Sequence, residues 1–131
     1  MTAHNPIRLL ILDDERVIVD TLCVVLNQHG YETCGAYTHG AALAIAREFR
    51  PDIFLTGFNN GPDKNGCETA IELLAILPQC RVLIFSGAAA TADAVNGYRK
   101  RGYEFELRAK PLYPEDLLDM LRPHDKAKAK G

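Results

Sequence analysis

Two consecutive acidic residues, Asp13 and Asp14, directly follow the largely apolar segment Ile7–Leu12. Adjacent carboxylates repel each other, and they stay ionised together only beside a counter-charge such as a divalent cation or a lysine ammonium. Ser86 and Lys110 each follow a later apolar segment. Because a hydroxyl and an ammonium together can hold a phosphoryl group, these residue types indicate phosphate and Mg²⁺ chemistry.

Each of these residues also has a simpler structural role. Asp14 suits the start of a helix, where a negative charge favours the helix dipole, and Ser86 could bond the backbone of a turn. The chain lacks the glycine-rich phosphate loops G-x-G-x-x-G and G-x-x-x-x-G-K-[ST]. A shared site is therefore favoured only because the residues all follow predicted strands.

Five short apolar segments alternate with five patterns typical of helices. The predicted strands are Ile7–Leu12, Glu32–Tyr37, Ile53–Thr56, Arg81–Phe85 and Glu104–Arg108. The predicted helices are about Glu15–His29, a segment capped by Thr38 that holds Ala42 to Phe49, then about Cys67–Leu77, Ala92–Arg101 and Pro114–Leu121. This alternation predicts a doubly wound α/β fold with a five-stranded parallel sheet, and functional groups gather at the carboxyl ends of such strands.

Finer features are also predicted for the first half of the chain. Gly30 is expected to cap the first helix in the left-handed conformation. The second strand is less apolar than the others and is expected at an edge of the sheet. The inward stripe of the first helix is predicted to be Ile18, Leu22, Val25 and Leu26.

Composition and charge limit the classes of function. The 131 residues fit one domain, which we predict over residues 1–122, with a disordered basic tail over 123–131. A net charge of −2 argues against a surface that coats nucleic acid. No apolar segment approaches the roughly 18 residues of a membrane span, so we expect a cytoplasmic protein without membrane contact.

The cysteines and histidines do not show metal-site spacing. The cysteines are Cys23, Cys34, Cys67 and Cys80, and none forms a C-x-x-C pair. We predict four reduced thiols rather than a zinc site. The four histidines are predicted to be surface or loop residues.

The segments LLILDDE, PDIFLTG, VLIFSG and AKPLYPEDLL resemble the signature segments of the response-regulator receiver domain, the CheY-like family. The resemblance extends from Ile7 to Leu121. It implies a flavodoxin-like (βα)₅ fold with strand order 2-1-3-4-5 and a cis Lys-Pro bond. It also implies a role in two-component phosphorelay signalling, in which a histidine kinase or phosphotransfer protein donates a phosphoryl group to an aspartate that ends the third strand.

The resemblance also implies roles for particular residues. Asp13 and Asp14 match the acids that bind Mg²⁺, and Asn59 matches the residue whose backbone carbonyl completes the metal site. Ser86 and Lys110 match the hydroxyl and the ammonium that contact the phosphoryl group.

The chain departs from the family pattern at the phosphoacceptor position, which is Gly57. Glycine has no side chain to phosphorylate, so we predict a degenerate receiver, not an enzyme, with no required cofactor and with weak or absent Mg²⁺ binding. Two alternatives stay open. Asp63 in the following loop could accept the phosphoryl group, or the space over Gly57 could hold a small molecule.

The family also uses the face formed by its fourth helix, fifth strand and fifth helix for output and dimerisation. Here that face would carry Tyr98, Arg101, Tyr103, Phe105 and Leu107. The partner implied is a signalling protein such as a histidine kinase or a downstream effector, and the same face would serve a homodimer.

One geometric expectation concerns Lys110. With no acceptor aspartate beside it, its ammonium needs another partner, and Asp13 and Asp14 need a cation. We expect the Lys110 ammonium within about 4 Å of one of these two carboxylates.

Overall fold

Five parallel strands and five helices alternate along residues 6–59, 64–88 and 91–121, the residues that the computed structural model describes. The strands are β1 (Arg8–Leu12), β2 (Glu32–Ala36), β3 (Ile53–Gly57), β4 (Arg81–Ser86) and β5 (Phe105–Ala109). The helices are α1 (Arg16–Gln28), α2 (His39–Phe49), α3 (Gly66–Ile76), α4 (Thr91–Lys100) and α5 (114–121). The predicted tail over 123–131 and Asp63 lie outside the described residues.

The sheet has the strand order β2-β1-β3-β4-β5, and every pair of neighbours is parallel. The predicted fold class and strand order are thus confirmed. All five residues of β3 are buried, as are four of the five in β1. Strands buried on both faces read as continuous apolar segments, which is why both were visible in the sequence. The less apolar β2 lies at an edge, as predicted.

The sheet has a separate hydrophobic core on each face, because successive strand residues point to opposite sides. One core joins α2, α3 and α4 to the sheet residues Leu10, Leu12, Phe54, Val82 and Ile84. The other core joins α1 and α5 to Leu9, Ile11, Ile53, Leu55, Leu83 and Phe85. This packing fixes the strand ends, where the polar residues of interest lie.

The helix ends follow local sequence signals. Gly30 has a φ of 89°, and its N–H donates to the carbonyl of Asn27, which confirms the predicted left-handed cap. The Thr38 hydroxyl accepts from the N–H of Ala41 at 3.2 Å, as predicted for the start of α2. Asn65 and Glu68 form a reciprocal capping box at the start of α3.

One packing prediction held only in part, and another was wrong. The inward stripe of α1 contains Val19, Leu22 and Leu26, whereas Ile18 and Val25 are only partly buried. His39 is not a surface residue, because its ring lies between α2 and α3. Its Nδ1 is 2.8 Å from the Thr69 hydroxyl, and its Nε2 is 2.9 Å from a Glu72 carboxylate oxygen. No local pattern predicts this link, because its partners lie 30 or more residues further along the chain.

Two strands extend further than predicted, and this matters for the site. Gly57 belongs to β3 and pairs with Phe85, while Ser86 belongs to β4 and pairs with Ala109. Both positions are therefore held by sheet hydrogen bonding rather than by loop structure.

All four cysteines are free thiols. Burial raises the pKa of the Cys67 thiol and of the Cys80 thiol to about 12, so both are protonated at neutral pH. No helix within the described ranges is long and apolar enough to cross a membrane.

Candidate functional site

The carboxyl ends of four neighbouring strands meet at one edge of the sheet. They bring together Asp13 after β1, Gly57 at the end of β3, Ser86 at the end of β4 and Lys110 after β5. The Lys110–Pro111 peptide bond at this edge is cis, as the resemblance implied. The fold therefore provides the shared location that the sequence predicted.

An ion pair crosses this edge. The Nζ of Lys110 lies 3.1 Å from Oδ2 of Asp13, which confirms the expected pairing of Lys110 with one of the two aspartates. The Asp13 side chain is only 1% exposed, and the Lys110 side chain is 25% exposed. A carboxylate buried to this degree requires a nearby counter-charge, and Lys110 supplies it.

The two oxygens of Asp13 have different surroundings. Oδ1 accepts the N–H of Glu15 at 2.8 Å. Oδ2 makes no well-formed hydrogen bond among the described residues, although the Lys110 ammonium lies at ion-pair distance. The contact between the Lys110 ammonium and Oδ2 is therefore an ion pair by its distance.

Glu15 is a further partner of Lys110 that the sequence prediction missed. Its Oε1 lies 3.4 Å from Nζ, and the same ammonium stands over the Phe85 ring, 5.2 Å from the ring centre. Burial by itself would lower the pKa of Lys110, but the neighbouring carboxylates of Asp13 and Glu15 outweigh it and raise the pKa. The ammonium is thus held by two carboxylates and one aromatic face.

Asp14 takes no part in that ion pair. Its side chain is exposed, and the pKa of its carboxyl is raised by desolvation and by the neighbouring Asp13 carboxylate. The repulsion predicted between the adjacent acids therefore appears as the raised pKa of Asp14, whereas the Lys110 ammonium compensates the charge of Asp13.

Gly57 occupies the centre of the site. Its carbonyl accepts the Thr56 hydroxyl at 2.9 Å. The first residue of α3 approaches the same carbonyl so closely that a Cβ added to Gly66 would lie 2.1 Å from it. The backbone of α3 thus packs directly against the end of β3, in a contact that requires glycine at position 66.

Asn59 lies just beyond this contact. It forms an isolated antiparallel bridge with Asn65, and the N–H of Gly66 donates to the carbonyl of Phe58 at 2.7 Å. The described part of the β3–α3 connection is therefore tied to the start of α3.

The Ser86 hydroxyl points toward the start of α4. Its Oγ lies 2.8 Å from Oγ1 of Thr91 and accepts the N–H of Ala88 at 3.1 Å. Thr91 was not singled out in the sequence, although a threonine five residues after the strand-end serine was a visible signal.

Carboxylate oxygens of Asp13, Asp14 and Glu15 lie within 4.8 Å of one another, which is close enough to consider a cation. The set does not fit a resident Mg²⁺. The Lys110 ammonium already faces Asp13, and Gly57 adds no side-chain oxygen. Mg²⁺ sheds water reluctantly and favours sites with anionic ligands. Weak or absent Mg²⁺ binding stays a prediction.

The residues predicted for the contact face differ in exposure. Arg101 is exposed, while Tyr98, Tyr103 and Leu107 are partly buried. Phe105 was wrongly placed on this face, because it is 2% exposed and belongs to the core with α4. Its ring stacks on Tyr103, with centroids 5.4 Å apart. Phe105 therefore supports the face from below.

The model of the response regulator receiver domain family matches residues 9–122, and the chain belongs to this family. It is thus a receiver domain of the kind used in two-component signalling, and receiver domains are signalling modules.

Among curated relatives, the chain is 26% identical over 115 residues to the chemotaxis protein CheY of Thermotoga maritima. This alignment covers 87% of the chain and 93% of that protein. It is 27% identical to the probable transcriptional regulatory protein TcrX of Mycobacterium tuberculosis, over 90% of the chain but 49% of TcrX. A solved CheY-like receiver domain from Methanospirillum hungatei superposes with a TM-score of 0.82 at 26% identity, covering 96% of this chain and 98% of that one.

The chain spans about half the length of TcrX and of the mycobacterial relatives described as the DNA-binding response regulator MtrA. The expectation that this chain avoids nucleic acid therefore stays a prediction, as does the homodimer.

Proposed function

We propose that this receiver domain signals by protein contact and without phosphorylation at the usual strand-end position. The observation that carries the proposal is Gly57, which ends β3 at the centre of the site and has no side chain to accept a phosphoryl group. In this proposal the domain is not an enzyme.

The surrounding ion pairs support a fixed state. Lys110 is paired with Asp13 and Glu15. The Ser86 hydroxyl is hydrogen-bonded to the Thr91 hydroxyl and to the N–H of Ala88. Each group that would contact a phosphoryl group thus already has a partner within the domain. A module of this kind presents one conformation to its partner rather than switching between two.

The proposed contact face is built from the end of α4 and from β5, with Tyr98, Arg101, Tyr103 and Leu107 at its surface. Its partner would be a histidine kinase, a downstream effector or a second copy of this chain. The partly buried aromatic residues give the face apolar area, and Arg101 gives it charge.

The test is incubation with acetyl phosphate and Mg²⁺, followed by intact-mass measurement. We expect no mass gain for the wild type, while Gly57→Asp serves as the variant that regains a carboxylate at the acceptor position. A gain of one phosphoryl group by the wild type, lost in Asp63→Asn, would overturn the proposal and establish Asp63 as the acceptor.

A further inference from the structure

We propose that residues 122–131 of this chain dock their lysine side chains in an acidic cavity at the amino-terminal edge of the sheet. The cavity, here named the basal cavity, lies where β4 and β5 begin, at the opposite edge from Asp13 and Lys110. The segment, here named the lysine tail, reads RPHDKAKAKG. This docking goes beyond the proposed function, because it assigns a use to a part of the chain that the contact face does not include.

The basal cavity has walls that suit a lysine side chain. Its volume of about 580 Å³ lies within the usual range of ligand sites. Its apolar wall comes from Leu74, Pro78, Val82 and Tyr103, and its charged wall comes from Arg81, Glu104 and Glu106. A lysine packs its methylene stem on apolar surface while its ammonium reaches a charged or solvated position. The cavity therefore offers both kinds of contact that a lysine makes.

Glu104 gives the basal cavity its net negative charge. Arg81 neutralises Glu106, because Nε lies 2.6 Å from Oε2 and Nη2 lies 2.9 Å from Oε1. Glu104 is exposed, and it forms no ion pair with any residue that the structure describes. One carboxylate of the cavity is thus available to an incoming cation.

The lysine tail has the complementary charge. It contains four basic residues and one acidic residue, Asp125. Lys126, Lys128 and Lys130 alternate with alanine. Side chains two positions apart point to the same side of an extended chain, so three ammonium groups could be offered to the cavity from one side.

The end of α5 brings the start of the lysine tail to the basal cavity. Nη1 of Arg81 donates to the carbonyl of Met120 at 3.2 Å, and Arg81 is itself part of the cavity wall. Leu121, where the described part of the chain ends, is fully buried in the core under α5. Lys126 follows Met120 by six residues, which span at most about 20 Å when extended. Lys126 can therefore reach the cavity without any movement of α5.

The covalent link to α5 makes weak contacts sufficient. An exposed ion pair contributes little by itself. A short tether raises the local concentration of the tail to about the millimolar range, so a contact with a dissociation constant of about 1 mM is half occupied. A second copy of the chain at micromolar concentration lacks this advantage. The tail of the same chain is therefore the occupant that the geometry favours.

The first test is zero-length cross-linking of the full chain with a carbodiimide, which joins an amine to a carboxylate that it contacts. A mixture of isotope-labelled and unlabelled protein distinguishes links within a chain from links between chains. We expect peptide mapping to find Glu104 joined to Lys126, Lys128 or Lys130 of the same chain. The yield should fall at least about five-fold in about 0.5 M NaCl, because salt screens exposed ion pairs.

The second test follows the thiol of Cys80, which lines the basal cavity. A docked tail covers this thiol. Replacement of Lys126, Lys128 and Lys130 by glutamate should therefore raise the rate at which N-ethylmaleimide labels Cys80 at least about three-fold. Replacement of the same lysines by arginine keeps the charge and should leave the rate near that of the wild type. Cys34 on β2 is the internal reference, because its labelling should not change.

Glu104→Gln removes the carboxylate that the lysines would contact, so it should also raise the labelling rate of Cys80. Glu48→Gln is the matched control, because Glu48 is an exposed glutamate on α2 that does not line the cavity. This control should label as the wild type does.

Three outcomes would overturn the inference. Links found only between chains would assign the basal cavity to a second copy. Tail lysines joined to Asp119 as often as to Glu104 would indicate the disordered tail that the sequence alone predicts. Equal labelling of Cys80 in the wild type and in the lysine-to-glutamate variant would show that the tail does not cover the cavity. None of these outcomes changes the mass measurement with acetyl phosphate, which tests the proposed function separately.

Discussion

Lys110 is the residue on which the state of the site depends. It is the counter-charge of a carboxylate that is 1% exposed, and it also contacts Glu15 and the face of Phe85. The pairing with Asp13 followed from charge balance and could be predicted from the sequence. The contribution of Glu15 could not, since it depends on how its side chain turns back at the start of α1.

Replacement of Lys110 by Met should destabilise the protein by about 2 kcal/mol, because it leaves Asp13 charged and buried without a cation. The loss is smaller than for a fully buried pair, since Lys110 is a quarter exposed. Urea unfolding at neutral pH measures it. The double variant Asp13→Asn/Lys110→Met should recover most of the loss, and a double variant less stable than Lys110→Met would contradict this explanation.

The stability difference between the wild type and Lys110→Met should depend on pH in a defined direction. The pKa of Lys110 is raised above its ordinary value of 10.5 in the folded state. Its contribution to stability is therefore fully present below pH 10.5 and is lost as the pH rises through the folded-state pKa. Unfolding of wild type and Lys110→Met across this range should show the two curves converging at high pH. A constant gap would show that lost packing, not charge, causes the effect.

Gly57→Asp adds a third carboxylate near Asp13 and Glu15. Gly57 is a strand residue whose φ is not among the positive ones, so the backbone accepts a side chain. We expect the metal-free variant to be less stable than the wild type, and Mg²⁺ to raise its melting temperature while leaving that of the wild type unchanged. A metal-free variant more stable than its parent would contradict the repulsion argument. A variant inert to Mg²⁺ would show that the β3–α3 loop has also diverged.

At the scale of elements, the start of α3 packs tightly against the end of β3. A Cβ at position 66 would lie 2.1 Å from the carbonyl oxygen of Gly57. Because this oxygen belongs to the backbone, the backbone itself would have to shift to remove the clash. We expect Gly66→Ala to cost about 2 kcal/mol or more, measured by chemical unfolding. Gly97→Ala in the middle of α4 is the control, because open space surrounds its added methyl. It should stabilise by roughly 0.5–1 kcal/mol.

The strands and helices could largely be predicted from the sequence, because buried parallel strands are apolar throughout and helix caps have local signatures. The contact face was predicted less well. In β5, Phe105 alternates with Glu106, so the phenylalanine faces the α4 core and the glutamate reaches Arg81 on the neighbouring strand. Alternation shows that two residues lie on opposite faces, but only the packing of α4 shows which face is covered.

At the scale of the whole molecule, two separate cores enclose the sheet, and chemical access to their thiols reports on unfolding. Cys67 is fully buried, and burial raises the pKa of its thiol to about 12. Alkylation of native protein by iodoacetamide near pH 8 should therefore spare Cys67, whereas denatured protein should react at all four cysteines. Peptide mapping checks this, and rapid native labelling of Cys67 would mean that α3 opens readily.

The ion pair between Lys110 and Asp13 also has a consequence for timing. A receiver that carries a phosphoryl group has an output that decays at the rate of hydrolysis. In the proposed module, Lys110 is paired with Asp13 at the edge of the sheet where phosphorylation would occur. Unlike a phosphoryl group, this side chain is not removed by hydrolysis. The strength and duration of its signal would then follow how many copies the cell makes and how quickly they are degraded.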